Sequence, residues 1–171
     1  MAKRIYETIV RWGNLTGQEI VLDVYCGIGP IALYLASQAK LVAGIEENVR
    51  AVNVAKENAR RSGYHNTRFF AGDAAEKVAD VALNLPPIDM VVLNPPRKGL
   101  SREAFSAVAN VNAPKLVYVS CSPQTLARDL NRFSQAGYAV GRIQPFDMFP
   151  QTDQVETLAL IEKPEKRGEA T

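Results

Sequence analysis

Two cysteines, one histidine and one tryptophan in 171 residues rule out several kinds of chemistry at once. So few thiols cannot build a disulfide framework, and no spacing of His, Cys and carboxylates forms a metal-binding set. The chain shows neither a signal peptide nor an apolar run long enough to span a bilayer. These absences point to a soluble protein in a reducing compartment, with the cytoplasm as the expected location. No internal repeat or low-complexity tract is present. Charge is close to balanced, 20 Lys and Arg against 18 Asp and Glu for a net +2, which is compatible with an RNA partner without arguing for one. What the chain does have is apolar content, 47% of residues, enough at this length for one sizeable core. One domain is expected over residues 1–162, followed by a solvated charged tail over 163–171.

Periodicity divides that domain into alternating elements. Short apolar runs at 20–25, 41–45, 67–70, 90–93 and 116–119 read as strands buried on both faces of a parallel sheet. Helical patterns fill the gaps at about 30–38, 48–63, 74–84, 101–110 and 123–136. The 48–63 pattern opens on Asn48 as cap and closes on Gly63. Two further runs, 138–143 and 155–161, follow with no helix between them and read as an antiparallel pair. The expectation is therefore an α/β, doubly wound, mostly parallel seven-stranded sheet ending in that pair.

Three strand ends carry candidate chemistry. In Val117-Tyr-Val-Ser-Cys121-Ser-Pro123 a thiol sits where an apolar strand gives way to a helix, whose N-terminus favours a thiolate; Cys121 reads as a nucleophile or as one more buried small residue. The first strand runs into Asp23-Val-Tyr-Cys-Gly27-Ile-Gly29-Pro, a turn in which glycine lets backbone approach a ligand. Glu46 ends the next strand, where a carboxylate can accept both ribose hydroxyls, and Asp73 closes the third, where an adenine amino group can be met. Ala32 replaces the third glycine of a dinucleotide fingerprint, which favours S-adenosylmethionine over NAD. The fourth strand ends in Asn94-Pro-Pro-Arg97-Lys98-Gly99, a rigid extended loop. Exocyclic-amine methyltransferases carry an aromatic residue after Asn-Pro-Pro; Arg97 stands in that place and can stack on a base or hold a phosphate. Lys98, Arg102, Arg128 and Arg132 read as phosphate contacts or plain solvated side chains, Cys26 as a close-packed small residue and His65 as a surface residue.

Asp23-Val-Tyr-Cys-Gly-Ile-Gly, Asn94-Pro-Pro-Arg-Lys-Gly, Ser120-Cys121 and Phe149-Pro-Gln-Thr-Asp-Gln-Val-Glu156 together resemble the catalytic domain of the RNA uracil-C5 methyltransferases, the 5-methyluridine enzymes of ribosomal and transfer RNA. The resemblance covers about Ile5 to Ile161. It implies a Rossmann-like methyltransferase fold, S-adenosylmethionine as cofactor and RNA as substrate. It implies Cys121 as nucleophile and Glu156 as base, and cofactor contacts from Tyr25, Gly27, Gly29, Pro30, Glu46, Asp73 and Asn94. Arg97 and Lys98 then fall where substrate is held.

The chain departs from the family pattern in places. Asn94 replaces the usual aspartate, a form that leans toward the branch acting on 23S ribosomal RNA rather than transfer RNA. Gln154 stands where histidine is common. The upstream RNA-binding barrel, the central RNA-recognition region and the four-cysteine iron–sulfur site of family members are not found in this sequence, so a catalytic fragment of a larger protein is expected. Two rival functions follow: a cytosine-C5 RNA methyltransferase, and a cofactor-binding module that is inactive without its RNA-recognition regions.

Overall fold

In the computed structural model, which describes residues 2–147 and 155–164, five parallel strands form the body of a single seven-stranded sheet. These are β1 (Ile20–Val24), β2 (Leu41–Glu46), β3 (Thr67–Ala71), β4 (Met90–Leu93) and β5 (Lys115–Ser120). The order across the sheet is β3-β2-β1-β4-β5-β7-β6, where β6 is Ala139–Asp147 and β7 is Val155–Glu162. β7 lies antiparallel to both its neighbours. All five residues of β1 and all four of β4 are buried, as continuous apolar runs between two helical layers should be.

The helices are α1 (Ala2–Gly13), α2 (Pro30–Ala36), α3 (Val49–Arg61), α4 (Ala74–Leu83), α5 (Arg102–Val111) and α6 (Pro123–Gln135). One face of the sheet packs Val21, Val42, Val92 and Val117 against Ile5, Ile9, Trp12, Leu35 and Val52 of α1, α2 and α3. The other packs Leu22, Leu93, Leu116 and Tyr118 against Val78, Val108, Leu126 and Phe133 of α4, α5 and α6. Alternate residues of each strand thus serve alternate layers. Asn48 caps α3 as expected, its side chain accepting from the N–H groups of Arg50 and Ala51. Among the described residues no helix is long and apolar enough to cross a membrane.

The fold class and the alternation agree with the sequence, and two features do not. Helix α1 is not among the elements expected from periodicity, although Ile5, Ile9 and Trp12 recur at helical spacing and are all buried. Strand β6 continues four residues past the expected end at 143. A register irregularity between Val140 and Ile143 realigns it, and Pro145 is tolerated because β6 is the sheet's edge.

Strand order reverses direction between β1 and β4, and in open α/β sheets ligands bind in the crevice outside such a switch point. Gly44 on β2 keeps the ground below that crevice tight. A methyl group there would lie 2.6 Å from Phe69 Cδ1 and 2.8 Å from Cys26 Sγ. Gly44→Ala is therefore expected to lower the unfolding free energy by about 1–3 kcal/mol, read from urea denaturation.

Candidate active site

β1 gives way to a turn that needs three residues in the left-handed region: Tyr25 at φ +67°, Gly27 at φ +56° and Gly29 at φ +86°. Two consecutive N–H groups, of Tyr25 and Cys26, donate to the Ile45 carbonyl at 2.9 and 3.0 Å, which peels the chain off the sheet. Gly27 N–H donates to Glu46 Oε2 at 3.1 Å, while Glu46 Oε1 accepts from Asn48 N–H at 2.9 Å. Gly29 then opens α2 with Pro30 in its first turn; a Cβ at Gly29 would press on Ala55 and Phe69 at 3.3 Å. The turn is a bare backbone cradle with the Glu46 carboxylate at its side. Cys26 is buried within it, and desolvation pushes its thiol well up, which suits a packing residue and not a nucleophile.

Asp23 lies under this turn, fully buried, and is the only buried side chain among the described residues whose polar atoms lack a hydrogen-bond partner. Desolvation pushes its carboxyl from the ordinary 3.8 to about 7; the Ala32 N–H, near but outside hydrogen-bonding geometry, opposes the shift and the Glu46 charge adds to it. An orphaned carboxyl at the start of a helix and at the switch point marks a place that takes a donor-bearing or cationic ligand. Across the crevice Asp73 caps α4, its Oδ1 accepting from Ala75 N–H at 2.8 Å. Glu46 and Ala71 are register partners, so the Glu46 and Asp73 carboxylates belong to adjoining strand ends. Tyr25 is half-buried, and its hydroxyl is pushed up to about 12 by burial, then by Asp73, Glu47 and Asp129. The cradle, the two carboxylates and Tyr25 can hold an adenosyl group.

On the other side of the switch point, Asn94 N–H donates to the Val24 carbonyl at 3.2 Å, which sets the Asn94 loop beside the glycine turn. A cleft of about 160 Å³ opens there, lined by Ala2, Ile5, Tyr6, Pro30, Ile31, Asn94, Val119 and Glu156. It brings Pro30, Asn94 and Glu156 together. A larger cavity of about 430 Å³ lies at the far edge, between α3 and β3, and includes none of these groups. Cys121 is partly exposed, directly after β5 and before the Ser122 cap of α6. In the β5–β7 ladder Ser120, the last residue of β5, pairs with Thr157, the neighbour of Glu156; Cys121 follows just beyond the ladder and is not among the residues that line the cleft. Ser120 folds the chain at this point, its Oγ accepting from Ser122 N–H at 3.1 Å and donating to Ser122 O at 3.0 Å.

Glu156 is half-buried. Burial pushes its carboxyl above the usual carboxylate value and the Arg97 charge pulls it back, so Arg97 is close enough to be felt there. Lys98 is exposed, and its contact in the described structure is its carbonyl, which accepts from Arg128 Nη2 at 2.9 Å. Phe149 to Gln154 of the phenylalanine-proline motif lie outside the described residues.

The family model described as tRNA (uracil-5-)-methyltransferase matches residues 2–164. The chain belongs to that family. An uncharacterized RNA methyltransferase of Geobacter sulfurreducens is 52% identical over 162 residues, covering 95% of this chain and 33% of the relative. One from Clostridium acetobutylicum is 40% identical over 164 residues, covering 96% and 36%. The chain thus spans about a third of the length of the curated relatives it matches. The crystal structure of Pyrococcus abyssi tRNA (uracil-54, C5)-methyltransferase in complex with S-adenosyl-L-homocysteine superposes with a TM-score of 0.75 at 29% identity, covering 91% of this chain and 37% of that one. A precorrin-6y C5,15-methyltransferase from Geobacter metallireducens reaches a TM-score of 0.78 at 14% identity, covering 94% and 89%, a likeness of fold alone.

Within this family member the structure changes the part assigned to two arginines. Arg128 and Arg132 do not stand free as phosphate contacts: both bind the buried carboxylate of Asp129. Asp129 and the α1 residues lining the cleft, Ile5 and Tyr6, were missed in the sequence. Only the helical spacing of α1 could have revealed the latter, and a lone Asp on an otherwise amphipathic helix carries no signal. His65 is exposed, as expected.

The Asp23 carboxyl has a pH signature. Its folded pKa is raised, so the proton it holds at acid pH stabilises the fold and that contribution is lost as pH climbs toward about 7. The stability of Asp23→Asn relative to the parent is expected to grow by up to about 4 kcal/mol between pH ~4 and ~7. Urea midpoints across that range measure it; a pH-independent difference would mean that Asp23 does not titrate there.

Proposed function

We propose that this chain carries out methyl transfer from S-adenosylmethionine to C5 of a uridine in RNA, through a covalent bond between Cys121 and C6 of the ring. The observation that supports this reading is the cleft that Glu156 shares with Pro30 and Asn94, with the partly exposed Cys121 one residue beyond Ser120, whose register partner Thr157 adjoins Glu156. The cofactor residues are Tyr25, Gly27, Gly29, Pro30, Glu46, Asp73 and Asn94: the cradle follows the amino-acid part, Glu46 takes the ribose hydroxyls and Asp73 the adenine edge. The orphaned Asp23 carboxyl fits this ligand, which is a cation. When bound, S-adenosylmethionine supplies an electrophilic methyl group.

The protein's task is to make C5 reactive. Uracil C5 is a weak nucleophile, and addition of the Cys121 thiolate to C6 shifts the ring electrons into an enolate that is electron-rich at C5. Once C5 carries the methyl group, its hydrogen leaves as a proton to the Glu156 carboxylate, the electron pair of that C–H bond reforms the C5–C6 double bond, and the thiolate departs. A half-buried carboxylate with a raised pKa is a stronger base than one in water. Arg97 and Lys98 flank the entrance and hold the base or its phosphate. The target base reaches the site unstacked, from a loop or a single strand. The end of β4 supplies Asn94-Pro95-Pro96-Arg97 and no second thiol, which favours uridine over cytosine. Asn94 leans the substrate toward 23S ribosomal RNA, in the cytoplasm.

Incubation with tritiated methyl donor and a ribosomal RNA fragment tests the reading: label at uridine C5 is expected, label on cytidine would replace it with the cytosine reaction, and cofactor binding without transfer would make this stretch a module needing the rest of its parent. Cys121→Ala is expected to abolish the covalent adduct with 5-fluorouridine RNA while changing cofactor affinity less than about threefold, since the thiol lies outside the cradle. Glu156→Gln should slow turnover by roughly 10²–10⁴ and accumulate the methylated adduct, visible as a protein–RNA band on denaturing gels.

A further inference from the structure

The loop that carries Arg97 is held by a device the reaction itself does not require. Asp129 on α6 is fully buried, and its carboxylate accepts four hydrogen bonds: Oδ2 from Leu100 N–H at 2.9 Å and from the Tyr118 hydroxyl at 2.8 Å, Oδ1 from Arg128 Nε at 2.9 Å and from Arg132 Nη1 at 3.2 Å. A buried charge so fully paired is one the fold retains at a desolvation cost, and where its bonds go shows what it holds. One comes straight from loop backbone at Leu100, and two come from arginines that bind that backbone in turn. Arg128 Nη2 donates to the carbonyls of Lys98 at 2.9 Å and Leu100 at 3.2 Å, and Arg132 Nη1 to Leu100 O at 3.2 Å. Thr125 Oγ1, one turn earlier on α6, donates to the carbonyl of Arg97 itself at 3.0 Å.

Between these anchors Gly99 turns at φ +70°, and a Cβ there would lie 2.5 Å from both Arg128 Nη2 and Asp129 Oδ2. The loop is laid directly on the clamp, with no room for a side chain. On the other side of Arg97 the two prolines fix the backbone. We propose that Asp129, Arg128 and Thr125 are positioning residues for the methyl-transfer site: they fix the Arg97–Leu100 backbone, the continuation of the loop whose Asn94 lines the cleft with Glu156, so that Arg97 is held on that side of the cleft. The inference rests on the roles given above to Arg97 and Glu156. α6 begins two residues after Cys121, so the helix that holds the Arg97–Leu100 backbone also adjoins the thiol.

The test reads the Glu156 carboxyl directly, without RNA. The full chain is labelled with ¹³C-glutamate, the Glu156 resonance is assigned by its loss in Glu156→Gln, and its pH midpoint is followed. Besides Arg97, the titratable groups nearest this position among the described residues are Tyr6 in the cleft wall and Cys121 just beyond the end of β5. Arg128→Lys keeps the local charge but loses the planar fork that spans two carbonyls. It is expected to raise the Glu156 midpoint in the same direction as Arg97→Gln, and to add nothing in the double variant. Thr125→Val, at a partly exposed position, should act in the same direction. A midpoint unmoved in both Arg128→Lys and Thr125→Val, or a shift that adds to that of Arg97→Gln, would overturn the proposal, even if either variant proved less stable. Adduct formation by the parent chain with 5-fluorouridine RNA is scored separately, so a failure of the uridine reading is distinguishable from a failure of the clamp.

Discussion

The register between β5 and β7 is the constraint on which the candidate site depends. Six antiparallel pairs, from Lys115 with Glu162 to Ser120 with Thr157, lock a strand from the end of the domain onto one from its middle. Side chains alternate faces along a strand, so a slip of one residue would exchange Leu158 and Leu160, packed in one layer, with Ala159 and Ile161, packed in the other, and would turn Glu156 from its cleft. Core burial and site geometry are thus enforced by the same ladder. The hydrophobic face supplies the energy; the carboxylate is placed as a by-product.

The switch point contributes the other half. Only where strand order reverses do the loops after β1 and β4 diverge enough to leave a crevice, and both bring backbone to its edge. The glycine turn does so through left-handed residues, the Asn94 loop through its bond to Val24. Between them sits a buried acid whose proton is held by the lack of solvent. The site is therefore polarised before any ligand arrives: negative along Glu46, with the Arg97 cation beyond Asn94.

Much of this was legible in the residues. The five parallel strands are apolar runs with no alternative partner than a covered sheet, and Asn48 carried a cap signal that the structure repeats. The strand-end residues Gly27, Glu46, Asp73, Asn94 and Cys121 stand out in the sequence because glycine, polar groups and a thiol at sheet edges break an apolar pattern. Helix α1 escaped notice because a single buried stripe of Ile5, Ile9 and Trp12 among charged neighbours is a short signal. The extension of β6 escaped because Pro145 argues against a strand anywhere but at an edge. Asp129 was illegible for a different reason. Its partners, Tyr118 and the backbone at Leu100, are brought near only by tertiary packing, and a charged residue on a helix reads as solvated until that packing is known.

Pro145 has an effect beyond its own strand. β6 is the rim of the sheet, and its exposed residues include Val140 and Ile143, the composition of a strand that invites another chain to add on. The missing N–H at Pro145, with the register break between Val140 and Ile143, interrupts the row of donors and acceptors that such an intruder would need. The molecule thereby keeps a greasy border from becoming a template for open-ended stacking.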